Sequence, residues 1–208
     1  MEKIKIYVVG RDTYYTSWIN NCEVVENLEN ANVVLFTGGE DVDPSLYGRE
    51  KHPSTSSNLS RDLKEKEIFE KIKLNQLALG ICRGSQFLTV MNGGILVQDC
   101  SGHAIGATHL ISNDEFSVDI TSTHHQMMYP FNLPKKDYDL LFTSHQRLSY
   151  YYEGVDEMPP CEPEVVYYHK KDKPKCLAIQ GHPEMMRKNA PVIEILNKLL
   201  IKCLQDNQ

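Results

Sequence analysis

The sequence predicts an α/β fold. Three observations support this prediction. Short apolar runs alternate with longer segments of helical spacing through the first half of the chain. These runs are continuous rather than interrupted by polar residues, as in strands that are buried on both faces. The chain has 208 residues, a normal size for one domain, and its apolar fraction of 41% is sufficient for a core.

The first half of the chain is predicted to begin with two strands and a helix. Ile4–Val9 is the first strand and Val33–Phe36 is the second, because both are short apolar runs. Residues 18–28 between them are too mixed to assign. A helix is predicted over residues 60–74, with Ser60 as its N-cap.

The remaining elements are two strands and two helices. Leu77–Ile81 is predicted as a strand that leads into a short helix over residues 85–92, which two glycines end. Cys176–Ile179 is the last strand, and an apolar stripe that begins near Pro191 predicts the closing helix. Loops are predicted at residues 47–58 and 153–163, and a loop or hairpin at the lysine-rich stretch 170–175.

Charge and cysteine content exclude several classes of protein. The net charge is −6 and the basic residues are scattered, so neither a nucleic acid nor a membrane is predicted as a partner. The N-terminal apolar run is too short for a signal sequence or a spanning helix. The six cysteines are widely spaced and unpaired, which argues against a disulfide framework. We therefore expect a cytoplasmic protein.

The strongest local pattern is Gly80-Ile81-Cys82-Arg83-Gly84, where a predicted strand turns into a helix. It is the cysteine form of the nucleophile elbow, in which the nucleophile occupies a strained turn. Glycines two residues before and two residues after leave room for neighbouring backbone. The free N–H groups of the following helix favour a thiolate. A buried cysteine in a plain strand–helix turn is the alternative that this pattern alone leaves open.

A cysteine nucleophile requires a base, and the base requires a carboxylate that orients it. His182-Pro183-Glu184 follows the predicted strand Cys176–Ile179 closely. Residues i and i+2 point the same way in extended backbone, and proline stiffens the spacing, so the two side chains can converge. Without Cys82, the same pair would be interpreted as a surface His–Glu contact at a strand end.

A pair of glycines, Gly38-Gly39, follows the second predicted strand. Such a pair allows backbone N–H groups to face into a site, as an oxyanion hole requires. The N–H group of Arg83 is also well placed to bond a developing oxyanion. A phosphate-binding loop is the rival interpretation, but its G-x-x-x-x-G-K-[ST] pattern is absent and three acidic residues follow at once.

These segments together resemble the class I glutamine amidotransferase-like superfamily, and within it the γ-glutamyl hydrolase branch, which is peptidase C26-like. This branch includes γ-glutamyl-γ-aminobutyrate hydrolase. The resemblance covers roughly residues 33–186, and the motifs occur in the family order. They are Gly38-Gly39-x-Asp41-Val42-x-Pro44 with Tyr47-Gly48, Arg61-Asp62, Gly80-Ile81-Cys82-Arg83-Gly84-x-Gln86, Gly93-Gly94-x-Leu96-x-Gln98-Asp99, His124-His125-Gln126 and His182-Pro183-Glu184.

The resemblance implies a fold and a catalytic site. The fold is flavodoxin-like, with a mostly parallel central sheet, helices on both faces and one domain over residues 1–208. The site is a triad of Cys82, His182 and Glu184. Its oxyanion hole consists of the N–H groups of Arg83 and of one glycine from the Gly38-Gly39 pair.

The resemblance also implies a substrate pocket lined by Gln86, His124, His125 and Gln126. From the residues alone, the two adjacent histidines are a weak metal-site candidate, because adjacent ligands need further carboxylate or histidine partners. The resemblance favours pocket lining. No metal and no cofactor is therefore predicted.

Two departures from the family pattern concern the surroundings of the site. Gly181 stands where the family usually has an aromatic residue before the active-site histidine, which predicts open space beside the base. The family's hairpin on the acceptor side is not recognisable. Tyr150-Tyr151-Tyr152 and the proline-rich acidic loop stand in its place, so the leaving group is not determined by the motifs.

The predicted function is cysteine-dependent hydrolysis of a γ-glutamyl amide bond in a small γ-glutamyl substrate, through a glutamyl thioester. One alternative is a glutaminase that supplies ammonia to a synthetase partner. Another is a catalytically silent binding module that uses the same pocket. A homodimer is one possible assembly, and the sequence predicts neither the oligomeric state nor the leaving amine nor the pathway.

Overall fold

The computed structural model describes residues 2–104 and 106–207. Within them the chain forms thirteen β-strands and three α-helices. The helices are α1 (Leu59–Phe69), α2 (Arg83–Met91) and α3 (Pro191–Gln205). The strands are β1 (Ile4–Val9), β2 (Cys22–Val24), β3 (Val33–Phe36), β4 (Leu77–Ile81), β5 (Ile95–Val97), β6 (Asp99–Cys100), β7 (Ala107–Ser112), β8 (Ser117–Ser122), β9 (Met127–Tyr129), β10 (Tyr138–Ser144), β11 (Tyr152–Glu153), β12 (Pro163–Tyr168) and β13 (Cys176–Ile179).

Nine strands form a central sheet in the order β2-β1-β3-β4-β13-β12-β10-β7-β8. The five strands from β2 to β13 are parallel, and the other four are joined to them and to one another antiparallel. Parallel strands end at the same edge of a sheet, so the segments that follow β1, β3, β4 and β13 meet there. This edge contains the predicted site.

Helices pack on both faces of the sheet, as predicted. On β3, Val33 and Leu35 belong to the buried cluster that includes α3. Val34 and Phe36, which alternate with them, belong to the cluster that includes residues of α1 and α2. Side chains of a strand point alternately to opposite faces, so a continuous apolar run is buried only when both faces are covered. The predicted α/β fold class is confirmed.

The four strands predicted from continuous apolar runs, β1, β3, β4 and β13, occupy the predicted residues. The lysine-rich stretch 170–175 joins the antiparallel strands β12 and β13, which confirms a hairpin. In the unassigned residues 18–28, Trp18 and Ile19 are buried in loops and β2 forms the sheet edge. None of the described helices has both the length and the apolar character needed to cross a bilayer.

The predicted ends of two helices were wrong. Helix α1 begins after Asn58, whose side chain accepts a hydrogen bond from the N–H of Arg61 at 3.2 Å, so Asn58 is the N-cap and not Ser60. The helix ends at Phe69, before the predicted limit of residue 74. Helix α2 begins at Arg83, because Cys82 itself is its N-cap residue.

Candidate active site

Cys82 lies on a strained turn between β4 and α2. Its φ of 52° and ψ of −112° are a backbone conformation that residues other than glycine rarely adopt. A Cβ atom on Gly84 would overlap the carbonyl oxygen of Phe36, and one on Gly80 would lie 2.5 Å from the carbonyl oxygen of Gly84. The steric reason predicted for these two glycines is therefore confirmed.

Hydrogen bonds from neighbouring elements hold this turn in place. The N–H of Cys82 donates to the carbonyl of Ile179 in β13 at 2.8 Å. The carbonyl of Cys82 accepts from the N–H of Ser85 at 2.9 Å and from its hydroxyl at 2.6 Å. Because Cys82 is the N-cap residue of α2, the positive end of the helix dipole lies beside it and favours the thiolate.

The side chains of His182 and Glu184 converge just after β13. Nδ1 of His182 lies 2.6 Å from Oε1 of Glu184, and both residues are buried. Pro183 begins the short 3₁₀ turn that brings the two side chains together. A carboxylate at Nδ1 keeps a proton there and leaves Nε2 for Cys82, as in a base that is oriented by an acid.

The protonation of His182 depends on Cys82. Burial lowers the pKa of His182, but hydrogen bonds with Cys82 and Glu184 outweigh this effect and raise the pKa to about 10. The ring therefore carries a proton at neutral pH and faces the sulfur. A protonated imidazole beside a thiol stabilises the thiolate, which is the nucleophilic form of cysteine.

Two residues that were not predicted hold the main chain of this pair. The hydroxyl of Thr121, in β8, donates to the carbonyl of His182 at 2.8 Å and accepts from its N–H at 3.0 Å. The hydroxyl of Tyr14 donates to the carbonyl of Glu184 at 3.0 Å. Thr121 belongs to the antiparallel half of the sheet, and no sequence pattern relates it to the end of β13.

The two glycines of the predicted oxyanion hole have different neighbours. A Cβ atom on Gly38 would lie 3.3 Å from Cε1 of His182 and 2.7 Å from the hydroxyl of Tyr15. Gly39 has a φ of 135°, and a Cβ atom there would overlap the guanidinium of Arg61. Gly38 is therefore the member of the pair that faces the predicted base.

Tyr15 is a site residue that the sequence interpretation missed. Burial, together with the charges of Glu184 and Cys82, raises its pKa to about 12, so the hydroxyl keeps its proton. Its position could have been inferred, because it follows β1 and parallel strands end at one edge. The segment that follows β1 mixes apolar and polar residues, so no sequence pattern indicated that Tyr15 reaches this edge of the sheet.

The side chain of Arg83 is buried in ion pairs with Asp62 and Glu65 of α1. Arg61 donates to Glu65 at 2.8 Å and to the carbonyl of Gly38 at 3.0 Å. This network connects the residue after the nucleophile to the glycine loop. The main-chain N–H of Arg83 stands at the first position of α2, where a helix supplies no acceptor.

Gln86 and Gln126, two of the predicted substrate-binding residues, are buried and bonded to each other. The amide of Gln86 donates to the carbonyl of Gln126 at 2.9 Å, and the amide of Gln126 donates to the hydroxyl of Thr55 at 3.1 Å. In the described part of the chain, Oε1 of Gln126 has no hydrogen-bond partner.

The structure separates the two adjacent histidines. His125 lies between Asp41 and Asp99, at 3.2 Å and 3.1 Å, and the hydrogen bond with Asp41 is the main cause of a pKa raised to about 9. His124 is buried and its ring stacks on that of His103, with centroids 4.6 Å apart. The two rings therefore reach different surroundings.

The prediction of open space at Gly181 was wrong. A Cβ atom on Gly181 would lie 2.7 Å from Cγ1 of Ile120 and 2.7 Å from the carbonyl oxygen of Thr121. Strand β8 occupies the volume that an aromatic side chain would need. Glycine is required here because β8 packs directly against the backbone that precedes His182.

The other cysteines are less suited to nucleophilic chemistry. All six are free thiols. Burial raises the pKa of five of them and so disfavours the thiolate: Cys22, Cys100, Cys161, Cys176 and Cys203.

Comparison with known proteins identifies the family. The sequence profile of peptidase C26 matches residues 17–139, which is more than half of the chain and includes Cys82. The chain belongs to the peptidase C26 family. The resemblance inferred from the motifs is thereby confirmed, and peptidase C26 membership indicates a hydrolase-type enzyme of the glutamine amidotransferase-like class.

This peptidase C26 protein is 28% identical over 185 residues to the glutamine amidotransferase-like protein YvdE of Lactococcus lactis, a match that covers 85% of the chain and 77% of YvdE. Protein NtpR of Enterococcus hirae is 29% identical over 136 residues, which cover 64% of the chain and 54% of NtpR. The matches thus span about half to three quarters of these relatives.

Solved structures share the fold of this peptidase C26 protein. A protein from Thermoplasma acidophilum that is described as one of the GMP synthase subunits has a TM-score of 0.64 at 18% identity, over 99% of this chain and 96% of that chain. A glutamine amidotransferase from Thermotoga maritima has a TM-score of 0.53 at 18% identity, and the match covers 100% of this chain and 91% of that chain. The predicted flavodoxin-like glutamine amidotransferase fold is confirmed.

Proposed function

We propose that this protein hydrolyses a γ-glutamyl amide bond through a glutamyl thioester on Cys82. The observation that carries the proposal is the hydrogen bond between Nδ1 of His182 and Glu184 at 2.6 Å, in a ring whose raised pKa is caused in part by Cys82 on its strained turn. The family supports hydrolysis by a cysteine nucleophile on an elbow. The glutamyl side of the substrate is supported by the motif resemblance and by the glutamine amidotransferase-like names of the relatives.

Acylation begins with the thiolate of Cys82 and the protonated ring of His182. The sulfur attacks the γ-carbonyl carbon and forms a tetrahedral intermediate whose oxygen carries the negative charge. His182 then gives its proton to the leaving nitrogen, the C–N bond breaks, and the amine departs. Glu184 stabilises the imidazolium and keeps its ring oriented during this transfer.

Deacylation uses the same groups in the opposite direction. Neutral His182 removes a proton from water, and the resulting hydroxide attacks the thioester carbonyl. The C–S bond breaks, glutamate is released, and Cys82 returns to the thiolate beside protonated His182. Each turnover therefore consumes one water molecule and yields glutamate and an amine.

Main-chain donors would stabilise the oxyanion in both steps. The N–H of Arg83 has no acceptor within its helix, and Gly38 lies beside His182. The hydroxyl of Tyr15 also lies close to Gly38, 2.7 Å from the position that a Cβ atom would take there.

A glutaminase that supplies ammonia to a synthetase partner is the second candidate. It uses the same thioester chemistry with glutamine as the substrate. The relatives named as glutamine amidotransferase-like proteins favour it, because an amidotransferase transfers the amide nitrogen of glutamine to an acceptor. A silent binding module is less well supported, because nucleophile, base and orienting carboxylate are all in contact.

Incubation of the purified protein with glutamine and with a panel of γ-glutamyl amines tests the proposal. Released glutamate is measured for each compound. Turnover of γ-glutamyl amines by the protein alone supports the hydrolase. Slow hydrolysis of glutamine that rises sharply on addition of a synthetase supports the second candidate.

The nucleophile is tested by Cys82→Ala, with Cys161→Ala as the matched control. Removal of the nucleophile should lower kcat by at least about 10³-fold, since the thioester cannot form. Cys161 lies outside the site described above, and its variant should keep wild-type turnover. Near-full activity of Cys82→Ala toward every active substrate would show that the assignment is wrong.

A further inference from the structure

A second cluster of polar side chains lies in the antiparallel half of the sheet. Its members are buried histidines and glutamates, and donor atoms of His103, His124 and Glu164 all lie within 4.8 Å of one another. His109 and Glu162 complete the cluster. Burial of a polar group lowers stability unless the group has a hydrogen-bond partner. The hydrogen bonds of each side chain therefore show which atoms of the cluster lack a partner.

His124 has one ring nitrogen that is bonded and one that is free. Its Nδ1 lies 2.8 Å from the carbonyl oxygen of Gln126. A carbonyl only accepts hydrogen bonds, so Nδ1 carries the proton and Nε2 presents a lone pair. That Nε2 atom is buried and has no hydrogen-bond partner among the described residues.

Glu164 shows the same division between its two oxygens. Oε1 lies 2.8 Å from Nε2 of His109. Oε2 is buried without a hydrogen-bond partner in the part of the chain that the structure describes. The side chain of Glu164 is fully buried, so this oxygen has no access to bulk solvent.

His103 lies between the two glutamates. Its Nε2 is 3.3 Å from Oε2 of Glu162 but forms no aligned hydrogen bond among the described residues. Its Nδ1 is 3.6 Å from Oε1 of Glu164 and 3.5 Å from the hydroxyl of Ser122. Glu162 is itself fixed, because it accepts from the N–H groups of Leu148 and Ser149 at 2.9 Å each. A small rotation of the His103 ring would let Nε2 donate to Glu162 and would keep Nδ1 directed toward Glu164.

We propose that His103, His124 and Glu164 bind a Zn²⁺ ion through Nδ1, Nε2 and Oε2 respectively. In metal sites, a ligating histidine donates its other N–H to a carboxylate or a carbonyl, and a ligating carboxylate is itself hydrogen-bonded. Glu162, the carbonyl of Gln126 and His109 supply these outer contacts. Two imidazoles and a carboxylate suit Zn²⁺, with water as the fourth ligand.

The site must contract around the ion. Bonds of about 2.0–2.2 Å hold the ligands of tetrahedral Zn²⁺ roughly 3.5 Å apart, so atoms now separated by up to 4.8 Å move inward. The charge is suitable, because the ion offsets the two buried carboxylates of Glu162 and Glu164. The ion would also fix residues 121–126, where Thr121 holds the main chain of His182.

A second group, His52, Asp99 and Glu153, also offers three donor atoms within 4.8 Å of one another. It is less suited to a permanent ion, because all three side chains are partly exposed and His52 is already paired with Glu153 at 2.5 Å. The Cys82–His182 pair is a further place where Zn²⁺ could bind. Both are tested as alternatives.

The test uses the full-length protein and Zn²⁺ alone. Protein freed of metal by a chelator is incubated with Zn²⁺ and dialysed, and the retained metal is measured by elemental analysis. About one Zn²⁺ per chain should remain, and the unfolding temperature should rise and fall again with chelator. Absence of retained Zn²⁺ would overturn the proposal.

Variants locate the ion. His124→Gln and Glu164→Gln should each weaken Zn²⁺ binding at least 10-fold, and the outer-contact variant Glu162→Gln should weaken it about 10- to 100-fold. His52→Gln and Cys82→Ala should keep wild-type affinity. Loss of binding in either of these two controls, with retention in His124→Gln, would place the ion elsewhere and overturn the proposal.

Co²⁺ substitution in the wild-type protein tests the ligands without any variant that could fail to fold. Tetrahedral Co²⁺ with nitrogen and oxygen ligands should give visible absorption without a thiolate charge-transfer band. A thiolate band would assign the ion to a cysteine and contradict the proposal. These readouts do not depend on turnover, so a failure of the proposed hydrolase function leaves them unaffected.

Discussion

His182 is held from three directions. Its ring contacts Cys82 on one side and Glu184 on the other, and its main chain is bonded twice to Thr121. The centroid of the Tyr15 ring lies 6.2 Å from the centroid of the His182 ring. A base that transfers protons between two partners must keep one orientation, so these contacts restrict the motion that would misdirect Nε2.

Thr121→Val tests the positioning of His182 by β8. Valine keeps the branched shape of threonine but loses the hydroxyl, so both hydrogen bonds to the main chain of His182 are lost. We expect kcat on the best γ-glutamyl substrate to fall about 10- to 100-fold, with little change in KM. Thr121→Ser, which keeps the hydroxyl, should restore most of the activity. Unchanged kcat in the valine variant would refute this role.

The pKa of His182 gives a prediction for pH dependence. The folded chain raises it from 6.5 to about 10, so the folded state binds this proton more tightly than the unfolded state. The resulting stabilisation is complete below about pH 6.5 and is lost as the pH rises through about 10. The protonated ring must also give its proton to the leaving amine, so kcat/KM should fall above about pH 10.

NMR titration of His182 measures this pKa directly. In Cys82→Ala the hydrogen bond and the charge of the sulfur are both absent, so the pKa of His182 should be lower than in the wild type. The hydrogen bond between His182 and Glu184 remains in both proteins, so the difference between the two pKa values reports the effect of Cys82 alone. An unchanged pKa in the variant would show that Cys82 does not control the protonation of the ring.

At the scale of elements, the start of α1 shows how a cap is chosen. Ser60 and Asn58 are both suitable N-cap residue types, and local sequence does not distinguish them. The chain enters the helix after Asn58, whose Oδ1 accepts from the N–H of Arg61. Asp62 and Glu65, three residues apart and therefore on one face of α1, both pair with Arg83.

Substitution of the two residues separately tests this cap. Asn58→Ala should lower the free energy of unfolding by about 1 kcal/mol, because an N–H group in the first turn loses its acceptor. Ser60→Ala, the matched control inside the helix, should change it by less than about 0.5 kcal/mol. Urea denaturation of both variants measures the difference. A larger loss of unfolding free energy for Ser60→Ala than for Asn58→Ala would show that Ser60 is the N-cap of α1, as the sequence predicted.

At the scale of the molecule, the two ends of the chain interleave in one sheet. β13, formed by residues near the C-terminus, lies between β4 and β12 and pairs with both. Trp18 packs in the same cluster as residues of α3. Neither half of the chain can complete the sheet without the other.

This interleaving predicts that the chain unfolds as one unit, as the single-domain prediction also requires. Trp18 is the only tryptophan and is 3% exposed, so its fluorescence reports the packing of α3 on the sheet. Urea unfolding curves from Trp18 fluorescence and from far-UV circular dichroism should coincide. Two separate transitions would indicate independent domains. The cytoplasmic location stays a prediction, and a homodimer stays one possible assembly.

The parts of the fold that could be predicted are those whose signal is local. β1, β3, β4 and β13 are continuous apolar runs, and the elbow at Cys82 needs glycines at fixed spacing. The parts that could not be predicted depend on distant partners. Gly181 is crowded by Ile120 of β8, and no pattern near residue 181 reveals that strand.

The sequence by itself determined the α/β class, the buried strands, the elbow at Cys82 and the spacing that unites His182 with Glu184. Each follows from the apolar character or the backbone limits of neighbouring residues. Only the tertiary structure decided that Tyr15 and Thr121 contact the site. It also decided that the ring of His124 lies apart from that of His125, in a buried cluster with His103 and Glu164. The physical reason is that these contacts link residues far apart in the chain, and the order of strands in the sheet places them together.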